Sequence, residues 1–246
     1  MKDNKVRIPE YCVGPPDMGN GGYVAGAFAA CLESDEAVEV TLRSPIPLEK
    51  DLQVLSGEGL VVMDGENLIA EVRLSELDMD VPAPPPWEVA LAAQPDSFSF
   101  GDRENPLLPD GTGFHPICFC CGAENPKGLK VFAAPVLDNA QVVAVWQTNH
   151  QWAADDAGTL PPAYLWTALD CPGQFAYYAA GIRTGLLGRI TAKILRPVPA
   201  GQDYLVTGWR IHVDGKKHFA GTAIFDRQME LVAMAKSVWI GSRPQV

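Results

Sequence analysis

Positive charge is scarce in this sequence. Nineteen Lys and Arg stand against 30 Asp and Glu, a formal net charge of −11, which excludes the broad cationic surface that dominates nucleic-acid affinity. Long apolar runs are also missing. The longest, Tyr23 to Leu32, is broken by Gly26 and falls well short of the roughly 20 residues that a membrane-spanning helix needs. The charged stretch Met1 to Glu10 has no apolar run followed by small residues, so it does not read as a secretory signal, and a cytoplasmic address is expected. Six cysteines in 246 residues are too few for a disulfide scaffold, so reduced thiols are expected. Histidine is sparse. His150, His212 and His218 are scattered, with no Ser-His-Asp order and no Gly-x-Ser-x-Gly elbow, which removes the α/β-hydrolase arrangement. What is abundant is hydrophobic residues, 47% of the chain, enough to build one large domain or two small ones around a sizeable core.

Proline marks the clearest boundary. Pro82, Pro84, Pro85 and Pro86 lead into a stretch with Pro95, Pro106, Pro109, Gly111 and Gly113, which has no sustained strand or helix period and reads as a linker over 81–116. The flanking segments, 1–80 and 117–246, repeat one another. Pro45, Pro47 and Asp51 match Pro197, Pro199 and Asp203, all at an offset of 152. Further on, Asp64-Gly65 matches Asp214-Gly215 and Ala70 matches Ala220 at an offset of 150. Asp-Gly between Val- and Ile-rich runs is a strong hairpin signal. The pattern predicts, in the first half, a helix near 23–32 that is apolar on every side, then strands near 37–43, 52–63 and 67–76. In the second half it predicts strands near 129–134 and 141–148, an apolar segment over 164–180, and strands near 189–196, 203–213, 217–226 and 231–240. A helix wrapped by an antiparallel sheet, occurring twice, predicts an α+β chain of two pseudo-equivalent units that pair within the molecule.

Three stretches carry a family resemblance: Asn20-Gly21-Gly22-Tyr23, Cys118-Phe-Cys-Cys121-Gly122 continuing through Asn125-Pro126-Lys-Gly128-Leu129, and Ala168-Leu169-Asp170-Cys171-Pro172. Together with the repeat they resemble the hotdog-fold thioesterases, specifically the double-hotdog acyl-CoA thioesterases in which two units are fused in one chain. The resemblance implies an antiparallel sheet wrapped around a central helix in each unit. It also implies a site at the interface of the units and a CoA or carrier-protein thioester as substrate.

Asp170 is the leading candidate for chemistry. A carboxylate within Tyr-Leu-Trp-Thr-Ala-Leu-Asp-Cys-Pro should be desolvated and more basic than usual, which suits a nucleophile or general base. The alternative is that Asp170 caps a helix that breaks near Pro172 and restarts. The resemblance favours catalysis, because hotdog thioesterases carry an acid in this part of the helix. Asn20-Gly21-Gly22 opens a buried helix, where unpaired backbone N–H groups and the positive dipole end suit a thioester oxyanion. The alternative there is an ordinary turn capped by Asn20. The resemblance makes the Gly21 and Gly22 amides oxyanion donors and Asn20 an orienting side chain in the place where His is common.

In single-hotdog relatives the turn and the acid lie on one helix, about nine residues apart. Nine residues beyond Asn20 stands Ala29, which has no carboxylate, and nine before Asp170 stands Pro161-Pro162-Ala163, whose prolines donate no N–H. Each half lacks what the other supplies, so one working site per chain is expected. The spans differ, however: Gly22 to Pro45 is 23 residues, and Ala163 to Pro197 is 34.

Tyr23 and Trp166, with Phe175, Tyr177 and Tyr178, are candidates to hold an acyl group, and Arg196 and Lys216, with Arg183, Arg189, Lys193 and Lys217, to hold CoA phosphates; packing and solvated strand ends are the alternatives. Cys118, Cys120, Cys121 and His115 invite a zinc site, but no second ligand pair follows, so no metal and no cofactor are expected. The expected function is hydrolysis of acyl-CoA or acyl-carrier thioesters at one composite site. The competing functions are a non-catalytic acyl-CoA sensor, a hotdog dehydratase, and a structural partner in a larger assembly; nucleic acid and membrane are not expected as partners, and a homo-oligomer is left open.

Overall fold

The computed structural model describes residues 5–100 and 115–241. Pro106, Pro109, Gly111 and Gly113 of the expected linker lie outside the described residues. Among the described residues one antiparallel sheet of 11 strands dominates. In chain order the strands are β1 (Lys5–Arg7), β2 (Val38–Leu42), β3 (Asp51–Ser56), β4 (Leu60–Asp64), β5 (Asn67–Leu74), β6 (Ala134–Val136), β7 (Gln141–Gln147), β8 (Leu186–Ile194), β9 (Asp203–Asp214), β10 (Lys217–Phe225) and β11 (Leu231–Ile240). Among the described residues four α-helices accompany them: α1 (Gly21–Ala29), α2 (Trp87–Ala93), α3 (Pro162–Ala168) and α4 (Cys171–Tyr178).

The strands lie in the order β1-β3-β4-β5-β2-β8-β11-β10-β9-β7-β6. The two halves of the sequence therefore meet at β2 and β8, and outward from that seam β5 corresponds to β11, β4 to β10, β3 to β9 and β1 to β7. The seam register is itself symmetric. Val38 pairs with Ala192 and Val40 with Ile190, and an offset of 152 carries Val38 to Ile190 and Val40 to Ala192, so the two pairs simply exchange partners. The proline loops with which the offset was found join β2 to β3 and β8 to β9, and Asp51 and Asp203 each open the strand that follows.

The second offset is corrected by the topology. Asp64-Gly65 turns β4 into β5, whereas Asp214-Gly215 turns β9 into β10, and these turns are not equivalent positions in the two halves. The single strand expected over 52–63 is two strands, because the chain reverses at 57–59 and pairs Leu55 with Val61. Two similar Asp-Gly turns, each with its Gly at positive φ, produced a coincidence of spacing. Two further differences concern the second half and the linker. The expected strand at 129–134 is reduced to β6, with irregular backbone before it, and the Pro-rich stretch contains α2, which packs on β6 and β7. Consecutive residues of β7 face opposite ways: Val142, Ala144 and Trp146 join the main core, while Val143 and Val145 join a second cluster that includes Ala90 of α2. That second face explains why β7 reads as a continuous apolar run rather than an alternation.

The helix α1 is buried on every side, as an apolar helix with no polar face must be. It crosses α3 at van der Waals contact because of two glycines. A Cβ at Gly22 would lie 2.6 Å from the Trp166 carbonyl oxygen, and one at Gly26 would lie 2.7 Å from the Ala163 Cα. The helical segment after α3 cannot run on, since Pro172 has no N–H and its ring collides with the preceding turn. The chain breaks at Asp170 (φ −85°, ψ −81°) and restarts as α4.

Candidate functional site

The break between α3 and α4 places Asp170 against the start of α1. Asp170 is only 2% exposed. Its Oδ2 accepts a hydrogen bond from the backbone N–H of Gly22 at 2.9 Å and another from Asn20 Nδ2 at 3.0 Å, whereas its Oδ1 is buried without a partner. Although Asp170 occupies the cap position of α4, its side chain makes no capping bond there. The capping alternative is thus set aside by geometry: the carboxylate reaches across to the first half of the chain. Asn20 holds the arrangement together. Its Oδ1 caps α1 by accepting from the Tyr23 N–H at 2.9 Å, which aims its Nδ2 at Asp170.

Burial pushes the Asp170 carboxyl up to about 7; the Gly22 hydrogen bond opposes this, the nearby Cys118 adds to it, and Asn20 opposes it. A cavity of about 550 Å³ adjoins the carboxylate and is bordered by Asn20, Gly21, Cys118, Asp170, Cys171 and Gln174. Its walls come from both halves, with Leu42 to Ile46 after β2 facing Gly185 to Gly188 at the start of β8.

Of the residues singled out in the sequence, Asn20, Gly21, Gly22 and Asp170 are brought together. The role expected of the Gly22 amide is corrected, because that N–H is already taken by Asp170. Gly21 makes no hydrogen bond through its amide among the described residues and borders the cavity. Of the substrate-binding candidates, Tyr178 and Arg183 border the cavity, whereas Tyr23, Trp166, Arg196 and Lys216 do not. Tyr23 packs edge-on against Phe119 and Trp166 is buried against Gly26. Arg196 is exposed and pairs with Asp226 at 2.6 Å and Glu230 at 3.2 Å. Lys216 sits at the exposed β9–β10 turn. Each follows the alternative weighed for it, packing or a solvated strand end.

Cavity residues that the sequence did not mark for this place include Gln174 and Leu187. The Gln174 amide donates to Thr184 Oγ1 at 2.9 Å and the Gly185 carbonyl at 2.7 Å, tying α4 to the strand entry. Leu187 lies against Gly21, where a Cβ would come within 2.8 Å of it. Neither residue belongs to a motif; they reach the cavity only because α4 turns where it does.

No protein-family model and no curated protein matches the sequence. Solved structures do match. Three of them align over nearly the whole chain: a protein proposed as a thioesterase from Novosphingobium aromaticivorans, with 15% identity, 98% of this chain and 97% of that chain covered and a TM-score of 0.60; one proposed as a thioesterase II from Thermobifida fusca, with 12% identity, 97% and 92% covered and a TM-score of 0.60; and the tesB protein of Mycobacterium avium, with 12% identity, 96% and 91% covered and a TM-score of 0.59. With its large antiparallel sheet and few helices, the chain has the fold of the hotdog thioesterase structures.

Proposed function

We propose that this chain is a double-hotdog enzyme, its units spanning 1–80 and 117–246, that hydrolyses acyl-CoA or acyl-carrier thioesters at one composite site. The observation that carries the reading is the state of the Asp170 carboxylate. One oxygen is fixed by Asn20 and Gly22 from the first unit, and the other is left without a partner beside a cavity large enough for an acyl thioester. Fixing Oδ2 orients Oδ1, which takes a proton from water while the water oxygen bonds to the thioester carbon. The C–S bond then breaks and the thiol leaves with the proton. The Gly21 amide, at the positive end of α1, supports the oxyanion formed on the way.

A non-catalytic acyl-CoA sensor is the second reading, and one observation favours it: the Gly22 amide is spent on Asp170 rather than free for substrate. A panel of short- and medium-chain acyl-CoAs separates the two. The enzyme reading expects release of free thiol with turnover, and acyl-CoA binding without any thiol release would leave the sensor.

A further inference from the structure

Beside Asp170 lies a group of thiols that hydrolysis does not use. Cys118 and Cys121 come from the irregular segment before β6, and Cys171 opens α4. Their three sulfurs lie within 4.8 Å of one another and all three residues are buried. The Cys118 and Cys171 sulfurs are 3.7 Å apart. A tetrahedral zinc ion with Zn–S bonds of about 2.3 Å sets its sulfurs about 3.8 Å apart, so this pair already stands at the edge length of such a site.

The local backbone is built for a ligand at Cys118. The Gly122 N–H bonds the Cys118 carbonyl at 2.8 Å, closing a turn over Cys118 to Cys121. This tight turn requires glycine, because a Cβ at Gly122 would meet the Cys118 backbone nitrogen at 2.4 Å and its carbonyl oxygen at 2.5 Å. Lys130 clamps the outside of the turn, donating to the carbonyls of Gly122, Ala123 and Asn125 at 3.0, 2.8 and 2.6 Å. The spacing Cys-x-x-Cys on this tight turn is a shape that presents two thiolates to one cation. The missing partner, absent from the local sequence, arrives from 50 residues downstream as Cys171.

We propose that Cys118, Cys121 and Cys171 bind one zinc ion. The ion fastens the segment before β6 to the first residue of α4, and so fixes the chain break that carries Asp170. Soft thiolate ligands select zinc over magnesium or calcium, whose preference is oxygen. Cys118 and Cys171 also border the cavity, which leaves that side of the ion for a fourth, non-protein ligand such as water.

The test is metal content, which is read independently of thioester hydrolysis. The full chain, purified under reducing conditions without chelator, should hold about one zinc per chain. Cys121→Ser, which leaves the cavity walls intact, should lose it, and Cys31→Ser, whose thiol is exposed far from the cluster, should keep it. Exchange of zinc for cobalt should give thiolate-to-metal charge-transfer absorption and the visible bands of a tetrahedral site. Should Cys121→Ser fail to fold, the wild type alone decides: stripping the metal should lower Tm, and one equivalent of zinc should restore it. Wild-type protein that takes up no zinc and keeps the same Tm with and without it would overturn the proposal. So would zinc retained in Cys121→Ser, or a cobalt form without thiolate absorption.

Discussion

At the start of α1 the chain reads Asn20-Gly21-Gly22, and at the start of α3 it reads Pro161-Pro162-Ala163. The two starts are equivalent in space. An offset of 141 carries the cap residue Asn20 to the cap residue Pro161 and carries Gly22 and Gly26 to Ala163 and Thr167. The contacts Gly22 to Thr167 and Gly26 to Ala163 exchange under it, as the seam pairs of the sheet do under 152. The same helix offset carries Ala29 to Asp170. One arrangement therefore has a capping amide, a free glycine N–H and a carboxylate, and its mirror has prolines and a methyl group. The two offsets differ by 11 residues. That is the length by which the second half is longer, and the structure locates it in α4 and the residues after it, which have no counterpart beyond α1. Two halves related by symmetry in their strands thus differ at the one place where chemistry is proposed.

The sharpest way to break this comparison is to remove the carboxylate. Asp170→Asn keeps the shape and should reduce thioester hydrolysis by about a thousandfold or more, as loss of a base or nucleophile does, while a calorimetric titration with acyl-CoA still shows binding. Retained turnover in Asp170→Asn would make the asymmetry chemically idle. Gly22→Ala attacks the helix crossing instead. Its Cβ would sit 2.6 Å from both the Asp170 Cβ and the Trp166 carbonyl oxygen, so overpacking should cost about 3 kcal/mol in denaturant unfolding. The mirror change, Ala163→Gly, opens space and should cost no more than the roughly 1 kcal/mol of a helical glycine.

Ala29→Asp offers the empty mirror site its acid. Because Ala29 is buried and the prolines opposite provide no amide, the new carboxyl should destabilise by roughly 2 kcal/mol without raising turnover. Asn20→Ala should cost less stability than Ala29→Asp. It removes a helix cap worth about 1 kcal/mol and one of the two hydrogen bonds on Asp170 Oδ2, and should lower kcat/KM by about tenfold, which corresponds to 1.4 kcal/mol.

How much of this was legible in the sequence follows from the range of the interactions involved. The seam of the sheet was readable, because Pro45, Pro47 and Asp51 mark a loop whose geometry recurs residue for residue. The pairing of Asp170 with Asn20 and Gly22 was readable through missing elements: Ala29 and the proline pair say which halves cannot serve. The strands of the first half were misjudged where two unrelated Asp-Gly turns share a spacing, since turn chemistry reports local backbone shape and not position in a sheet. Of the acyl-pocket candidates Tyr178 borders the cavity, while others are lost for a similar reason. Tyr23 and Trp166 have the right chemistry for an apolar pocket, but the glycines of α1 draw the helices so close that both rings are consumed by packing. The cavity walls, Gln174 and Leu187 among them, depend on where α4 turns after Pro172, and no local pattern encodes that direction. Cys171 shows the same limit, as a thiol whose partners lie 50 and 53 residues away has no spacing to recognise.

The central claim is one site per chain, made from both halves, and a titration with a non-hydrolysable acyl-CoA analogue tests it most directly. The account predicts saturation at about one analogue per 246-residue chain, with the acyl carbonyl located beside Gly21 and Asp170 in the complex. Saturation at two equivalent sites, or a carbonyl lying at Pro162 and Ala29, would contradict it.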